Sequence, residues 1–101
     1  MSLIDGDTNN VIGNIPVGMQ PIGIVFNPSN LYVYVANAEI NADPHTVSVI
    51  DSSTKQVIDD IVIPSSDVGI AIPIGLSFNP INDYVYLSTT SAERVYAIAY
   101  P

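Results

Sequence analysis

The chain has 101 residues, 48% of them hydrophobic, and its ten acidic against two basic side chains give a formal net charge of −8. A chain of this length forms one small domain, and the scarcity of Lys and Arg argues against binding nucleic acid or anionic membrane surfaces. Because there are no cysteines, disulfides and thiolate metal sites are excluded. Polar residues, Pro and Gly interrupt each apolar run. The first residues do not form a basic region followed by an apolar core, as a signal peptide would. We therefore expect neither membrane insertion nor a signal peptide in this span.

Eight short segments are rich in β-branched and aromatic residues and are bounded by Gly, Pro, Asn, Asp and Ser, which is typical of β-strands. In chain order they are 11–17, 22–26, 31–36, 46–50, 56–63, 74–78, 83–88 and 94–99. Tight turns that open with Asn or Asp join them at 5–8, 27–30, 51–54 and 79–82. Pro in second place predicts four-residue type I turns at 27–30 and 79–82. The sequence predicts an all-β fold built from antiparallel hairpins.

An internal repeat organises these strands, because residues 21–35 return as residues 73–87. With the strands of one unit named a, b, c and d, the chain runs d-a-b-c-d-a-b-c. The spacing between equivalent residues is 46 at the c–d turn, 52 over strands a and b, and 48 at strand c. All length changes therefore fall in the d–a and b–c connections, which an antiparallel meander brings to one end. Variation confined to one end predicts the binding face of a repeat protein.

Strand b is apolar without alternation in both units, as in Leu31-Tyr32-Val33-Tyr34-Val35 and Tyr84-Val85-Tyr86-Leu87. Such a strand is stable when both of its faces are covered, so the units are expected to stack face to face, with the tyrosines of strand b in the core. Two units alone would each leave one face bare.

These residues resemble the YVTN-type β-propeller repeat, over residues 4 to about 99. The resemblance rests on 21–28, on the tetrad Tyr34-Val35-Ala36-Asn37, and on 46–51 followed by 54–58. The tetrad differs by one residue from that of the family, and in the second unit it is less similar, as Tyr86-Leu87-Ser88-Thr89. An Asn-Pro turn stands where the family usually has a Ser-Pro-Asp-Gly type of turn. The resemblance implies one four-stranded blade per unit, with strand a along a central channel, in a surface-layer-like propeller that is typically seven-bladed. It also implies an extracellular, cell-surface or periplasmic location in a prokaryote.

A propeller needs about four to eight blades, and this chain carries two blades' worth of strands. We interpret 1–101 as a single propeller-repeat unit, with a c-end and d strand at 3–17, a complete blade at 21–63 and strands a, b and c at 73–99. Two alternatives explain the order d-abcd-abc: a fragment whose remaining blades lie elsewhere in a longer chain, or a ring assembled in trans. In the second, strand d of one copy completes the a-b-c set of the next, head to tail and with strand exchange.

Motifs for chemistry are sparse. Asp5-Gly6-Asp7-Thr8-Asn9 resembles the opening of a calcium loop, but the twelfth position, which should hold a bidentate acid, is Pro16. His45 is the sole histidine and is predicted to be a solvent-exposed loop residue. No nucleophile motif, nucleotide loop or complete ligand set is present, so we assign no catalytic residue, metal or cofactor.

The candidate binding residues lie in the connections of variable length, where acids predominate. They are Glu39, Asn41, Asp43, His45, Asp67 and Glu93. The favoured function is a non-enzymatic interaction module whose partner is a second copy, the missing blades, or a protein or matrix. The alternative is a fragment of a propeller enzyme, either a lactonase or a haem- or quinone-dependent oxidoreductase subunit, whose catalytic residues lie outside this span.

Overall fold

A computed structural model describes residues 1–38, 45–63, 73–89 and 95–99, and this part of the chain is all-β. Nine strands form three antiparallel sheets. The first sheet pairs β1 (Ser2–Ile4) with β2 (Val11–Asn14). The middle sheet has the order β3 (Pro21–Asn27), β4 (Tyr32–Asn37), β5 (His45–Asp51) and β6 (Gln56–Ile63). The third sheet has the order β7 (Pro73–Asn79), β8 (Tyr84–Thr89) and β9 (Val95–Ile98). In these ranges there is no helix, and hence no helix that could span a membrane.

The eight predicted strands are confirmed, with ends that differ from the prediction by a residue or so, except in β2. That strand ends at Asn14 rather than at residue 17, although the N–H of Ile15 still donates to the carbonyl of Met1 at 2.8 Å. The prediction gave only a "c-end" before strand d, and the structure makes it a separate strand, β1.

The four tight turns have one structure. The N–H of the fifth residue donates to the carbonyl of the first at 2.7 to 2.9 Å, and the side chain of the first accepts the N–H of the third. The fifth residue is left-handed in every case, with φ between 60° and 62°; the four are Asn9, Leu31, Lys55 and Asp83. The predicted Asn or Asp cap is confirmed, but the turn has five residues rather than four. A left-handed last residue realigns the chain with the twist of the returning strand.

Both faces of the middle sheet are covered in part. On one face it shares a core with the third sheet, made by Tyr34, Ala36, Val47, Val49, Ile63, Val85 and Leu87. On the other face a smaller core, made by Ile15, Val35 and Ile50, joins it to residues that flank the first sheet, namely Met1 before β1 and Ile15 and Val17 after β2. Strand β4 contributes to both cores, because alternate residues point to opposite faces. The expectation that both faces of this strand are covered is confirmed; the third sheet covers one face, and residues that flank the first sheet cover the other.

Equivalent strands pair in the same register. β7–β8 repeats β3–β4 at a spacing of 52, down to the irregularity that follows Pro21 and Pro73. β1–β2 repeats β5–β6 at a spacing of 46: Ser2 lies opposite Asn14 as Ser48 lies opposite Asp60, and the same bulge follows one residue later. The first sheet thus corresponds to strands c and d of a unit.

Because the first sheet has no equivalents of strands a and b, no sheet of the described chain covers strand β3 on that side. Ile24 is 59% exposed and Phe26 is 46% exposed. The equivalent residues on β7, Leu76 and Phe78, pack into the core between the middle and third sheets.

The outer face of the third sheet is the other uncovered surface, and it carries Tyr84, Tyr86 and Val95. The prediction that the tyrosines of strand b are core residues is therefore confirmed for Tyr34 and wrong for Tyr84, which is exposed. The reason is that no further sheet of the described chain covers this face.

Candidate functional site

One end of the sheets gathers the connections of variable length. β4 ends there at Asn37 and β5 begins there at His45, and the end of β6 and the start of β3 lie beside them by strand pairing. In the third sheet the start of β7 and the end of β8 pair in the equivalent way. Of the six residues proposed from the sequence, only His45 falls in the described part. Glu39, Asn41, Asp43, Asp67 and Glu93 lie outside the described residues.

His45 is buried rather than solvent-exposed, with 2% of its surface accessible. It is the first residue of β5 and lies opposite Ile63, the last residue of β6, so the sheet extends further toward this end than the sequence indicated. By alternation it shares the face of Val47 and Val49, which is covered by the third sheet. Both imidazole nitrogens are buried and have no hydrogen-bond partner among the described residues. A buried polar group without a hydrogen-bond partner costs about 1–3 kcal/mol.

A polar network that the sequence analysis missed lies on the opposite face of the middle sheet. The side-chain amide of Asn37 donates to Ser48 Oγ at 2.8 Å and to Thr46 Oγ1 at 3.1 Å. Ser48 in turn donates to Asp60 Oδ1 at 2.8 Å. The network crosses three strands, because these residues lie opposite one another in the β4–β5 and β5–β6 registers. Its signal in the sequence is a serine within the apolar run of strand c, followed by an acid in strand d.

Gly18 packs directly against the side chain of Asn37 in this network. A Cβ at Gly18 would lie 2.7 Å from both Cγ and Nδ2 of Asn37, so only glycine allows this approach. The N–H of Ala38 donates to the carbonyl of Gln20 at 2.9 Å and holds the same segment against the end of β4. The remaining amide oxygen of Asn37 is buried and has no partner in the described ranges.

The pattern is weaker in the other sheets. In the first sheet, Ser2 Oγ donates to Asn14 Oδ1 at 3.4 Å, which is the equivalent of the bond between Ser48 and Asp60. In the third sheet the position of Ser48 is held by Tyr96, which packs against the core between sheets. The buried amide network is therefore a specific feature of the middle sheet among the described sheets.

The turn at residues 5–9, which resembles a calcium loop, uses its first carboxylate as a turn cap. Asp5 Oδ1 accepts the N–H of Asp7 at 2.8 Å, as Asp51 Oδ1 accepts the N–H of Ser53 at 2.8 Å. No cluster of three or more His, Cys, Asp and Glu side chains occurs in the part of the chain that the structure describes. The capping of the turn explains why an acid stands at the first position of both turns.

Two open clefts mark the uncovered faces. One, of about 200 Å³, lies beside β3 and is lined by Met1, Pro21, Ile22, Gly23, Ile24 and Val35. The other, of about 250 Å³, lies on the outer face of the third sheet and is lined by Gly75, Leu76, Ser77, Tyr86, Ser88 and Val95. Both clefts are predominantly apolar, and they lie at opposite ends of the stack of sheets.

Comparison with protein-family models and with curated proteins finds no match to this chain. Its function is therefore argued from the geometry of the sheets and from the two kinds of surface they present, the loop end and the uncovered faces.

Proposed function

We propose that the protein is a non-enzymatic β-propeller interaction module of a prokaryotic cell-surface or periplasmic protein, and that it binds through the end that carries the d–a and b–c connections. In this proposal each sheet is a blade or part of one. The resemblance of the repeat to YVTN-type propellers supports it, as do the shared core of the middle and third sheets and the common register of equivalent strands in the three sheets.

One observation carries the choice of the loop end: His45 lies buried at its base, and neither of its ring nitrogens has a hydrogen-bond partner among the described residues. At the opposite end, the turn caps already accept backbone N–H groups and the turns are closed on themselves. Acidic residues predominate in the connections beside His45, and only two basic side chains occur in the whole chain. The chemistry of such a rim fits a basic segment of a partner protein.

The test is binding of a fluorescent hexalysine peptide, followed by anisotropy at increasing salt. The double variant E39Q/D43N removes two rim charges. Exposed ion pairs contribute about 0.2–1 kcal/mol each, so the loss of two should lower affinity about two- to thirtyfold and make its dependence on salt shallower.

The matched control is D7N/D59N, which removes two exposed charges of the same kind away from the loop end and leaves net charge equal to that of the rim variant. If both double variants weaken binding equally, the peptide responds to net charge and the loop end is not the binding surface. If hexalysine does not bind to the unmodified protein at low salt, the acidic rim is not a receptor for basic segments.

A further inference from the structure

Strands β1 and β9 hold the same position, that of strand c, in the first and third sheets respectively. β1 pairs with β2 as β5 pairs with β6, so β1 holds the position of strand c. β9 holds the same position in the third sheet, since Tyr86 lies opposite Ala97 as Tyr34 lies opposite Val49. On its outer edge, β9 has no described strand that pairs with it as β6 pairs with β5. The described chain thus has three versions of strand c (β1, β5 and β9) and two of strand d (β2 and β6), so β2 is the one described strand d outside the middle sheet.

The contact between the middle and third sheets shows how one sheet of this protein packs on the next. Leu76 and Phe78 of the third sheet enter the shared core, and Ser29 Oγ donates to Asp83 Oδ1 at 2.8 Å between the two a–b turns. Applied to a second copy, the same geometry sets the outer face of its third sheet against β3 of the first copy. The two clefts described above then meet.

The turn residues make this contact chemically specific. At the repeat spacing of 52 residues, Ser29 corresponds to Ile81 and Asp83 corresponds to Leu31. In the contact between copies, Ile81 of the incoming copy would therefore meet Leu31 of the first copy. Ile81 is 93% exposed and Leu31 is 51% exposed. A polar pair within the chain is thus matched by an apolar pair between copies. Exposed apolar side chains at both members of one predicted contact favour a second copy as the occupant.

We propose that copies of this chain stack head to tail and that β1 acts as a placeholder strand, which β9 of the incoming copy displaces from β2. The exchange completes a sheet with the order β7, β8, β9 and β2, in which the last strand comes from the neighbouring copy. The register follows from β5–β6: Ala97 lies opposite Gly13 of the neighbour, and Tyr96 lies opposite Asn14. β1 has three residues and β9 has four, so the exchange lengthens the paired edge.

Placeholder displacement is required because both strands cannot pair with the same edge of β2. While β1 stays in place, β9 of the incoming copy meets an occupied position, and association is held back. This inference rests on the proposed stacking of blades but not on binding at the loop end, so a failure in the hexalysine assay leaves it untouched.

The first experiment measures mass by light scattering during size-exclusion chromatography, for the full chain and for a variant that lacks residues 1–4. We expect the truncated variant to assemble into multiples of the 10.8 kDa chain at a concentration at least tenfold lower than the full chain. Far-UV circular dichroism verifies that the truncated variant is folded. If a folded truncated variant assembles no more readily than the full chain, β1 is not a placeholder.

The second experiment uses the full chain and therefore does not depend on the truncation. Because the protein has no cysteine, A97C and G13C proteins can be mixed and oxidised, and a disulfide-linked dimer reports the predicted pair of strands. The matched control replaces G13C with I12C, which points to the other face of β2. Crosslinking of A97C to I12C as readily as to G13C, or to neither, would overturn the exchange.

Charge variants test the contact between the turns. L31E and I81K are each expected to raise the concentration needed for assembly at least tenfold, and an equimolar mixture of the two proteins is expected to recover part of that loss. If neither single variant changes the mass, copies do not meet through these turns.

Discussion

Two phenylalanines at equivalent positions test whether the sheets stack as described. Phe26 on β3 and Phe78 on β7 are 52 residues apart and lie opposite Val33 and Val85 respectively. Phe78 packs into the core between the middle and third sheets, whereas Phe26 is 46% exposed. Truncation of a buried Phe to Ala costs about 3–5 kcal/mol, so F78A should lower the free energy of unfolding by about 3 kcal/mol. Since about half of Phe26 is in contact with protein, F26A should cost about 1–2 kcal/mol.

The assay is urea unfolding followed by far-UV circular dichroism, at a concentration at which light scattering gives the mass of one chain. The difference between the two variants should also appear as a larger fall in melting temperature for F78A, at about 4–8 °C per kcal/mol for a domain of this size. If F26A costs as much as F78A under these conditions, β3 is covered within the single chain and the uncovered face does not exist. At concentrations that favour assembly, the cost of F26A should rise toward that of F78A.

Three further predictions concern the packing and ionisation of single residues. G18A should destabilise the protein by about 1–3 kcal/mol, because its Cβ would press on the side-chain amide of Asn37. An unchanged urea midpoint would show that the 15–20 segment does not pack against the network of Asn37, Ser48 and Asp60. L87A should cost about 2–5 kcal/mol, because Leu87 is fully buried between the middle and third sheets; a cost below 1 kcal/mol would mean that the third sheet is not docked in solution. Burial raises the pKa of Tyr34 above 10.0, against the opposing effect of hydrogen bonds from Asn30 and Asn27, so the unfolded phenol ionises first and stability should fall as the pH rises above about 10. Y34F should remove that part of the loss, measured as the change in unfolding free energy between pH 8 and pH 11, and an unchanged pH dependence in Y34F would contradict the role of Tyr34.

The sequence by itself determined the local structure and its repetition. Strand positions followed from β-branched and aromatic runs, and the caps of the turns followed from Asn27, Asn79, Asp5 and Asp51, because both depend on interactions within a few residues. Burial of β4 on both faces was also predicted, since a strand without polar alternation has no face suited to water.

Tertiary structure alone decided which equivalent residues are covered and which polar groups meet. Tyr32 packs against the core and its equivalent Tyr84 is exposed, because the third sheet covers the one face and nothing in the described chain covers the other. His45 is buried because pairing with Ile63 extends β5 beyond the predicted strand. The network of Asn37, Ser48 and Asp60 depends on the registers of three strands, and β1 holds the place of strand c through pairing with β2. Burial and register are properties of neighbouring sheets and strands, so residues that repeat in the sequence acquire different environments only when the sheets are stacked.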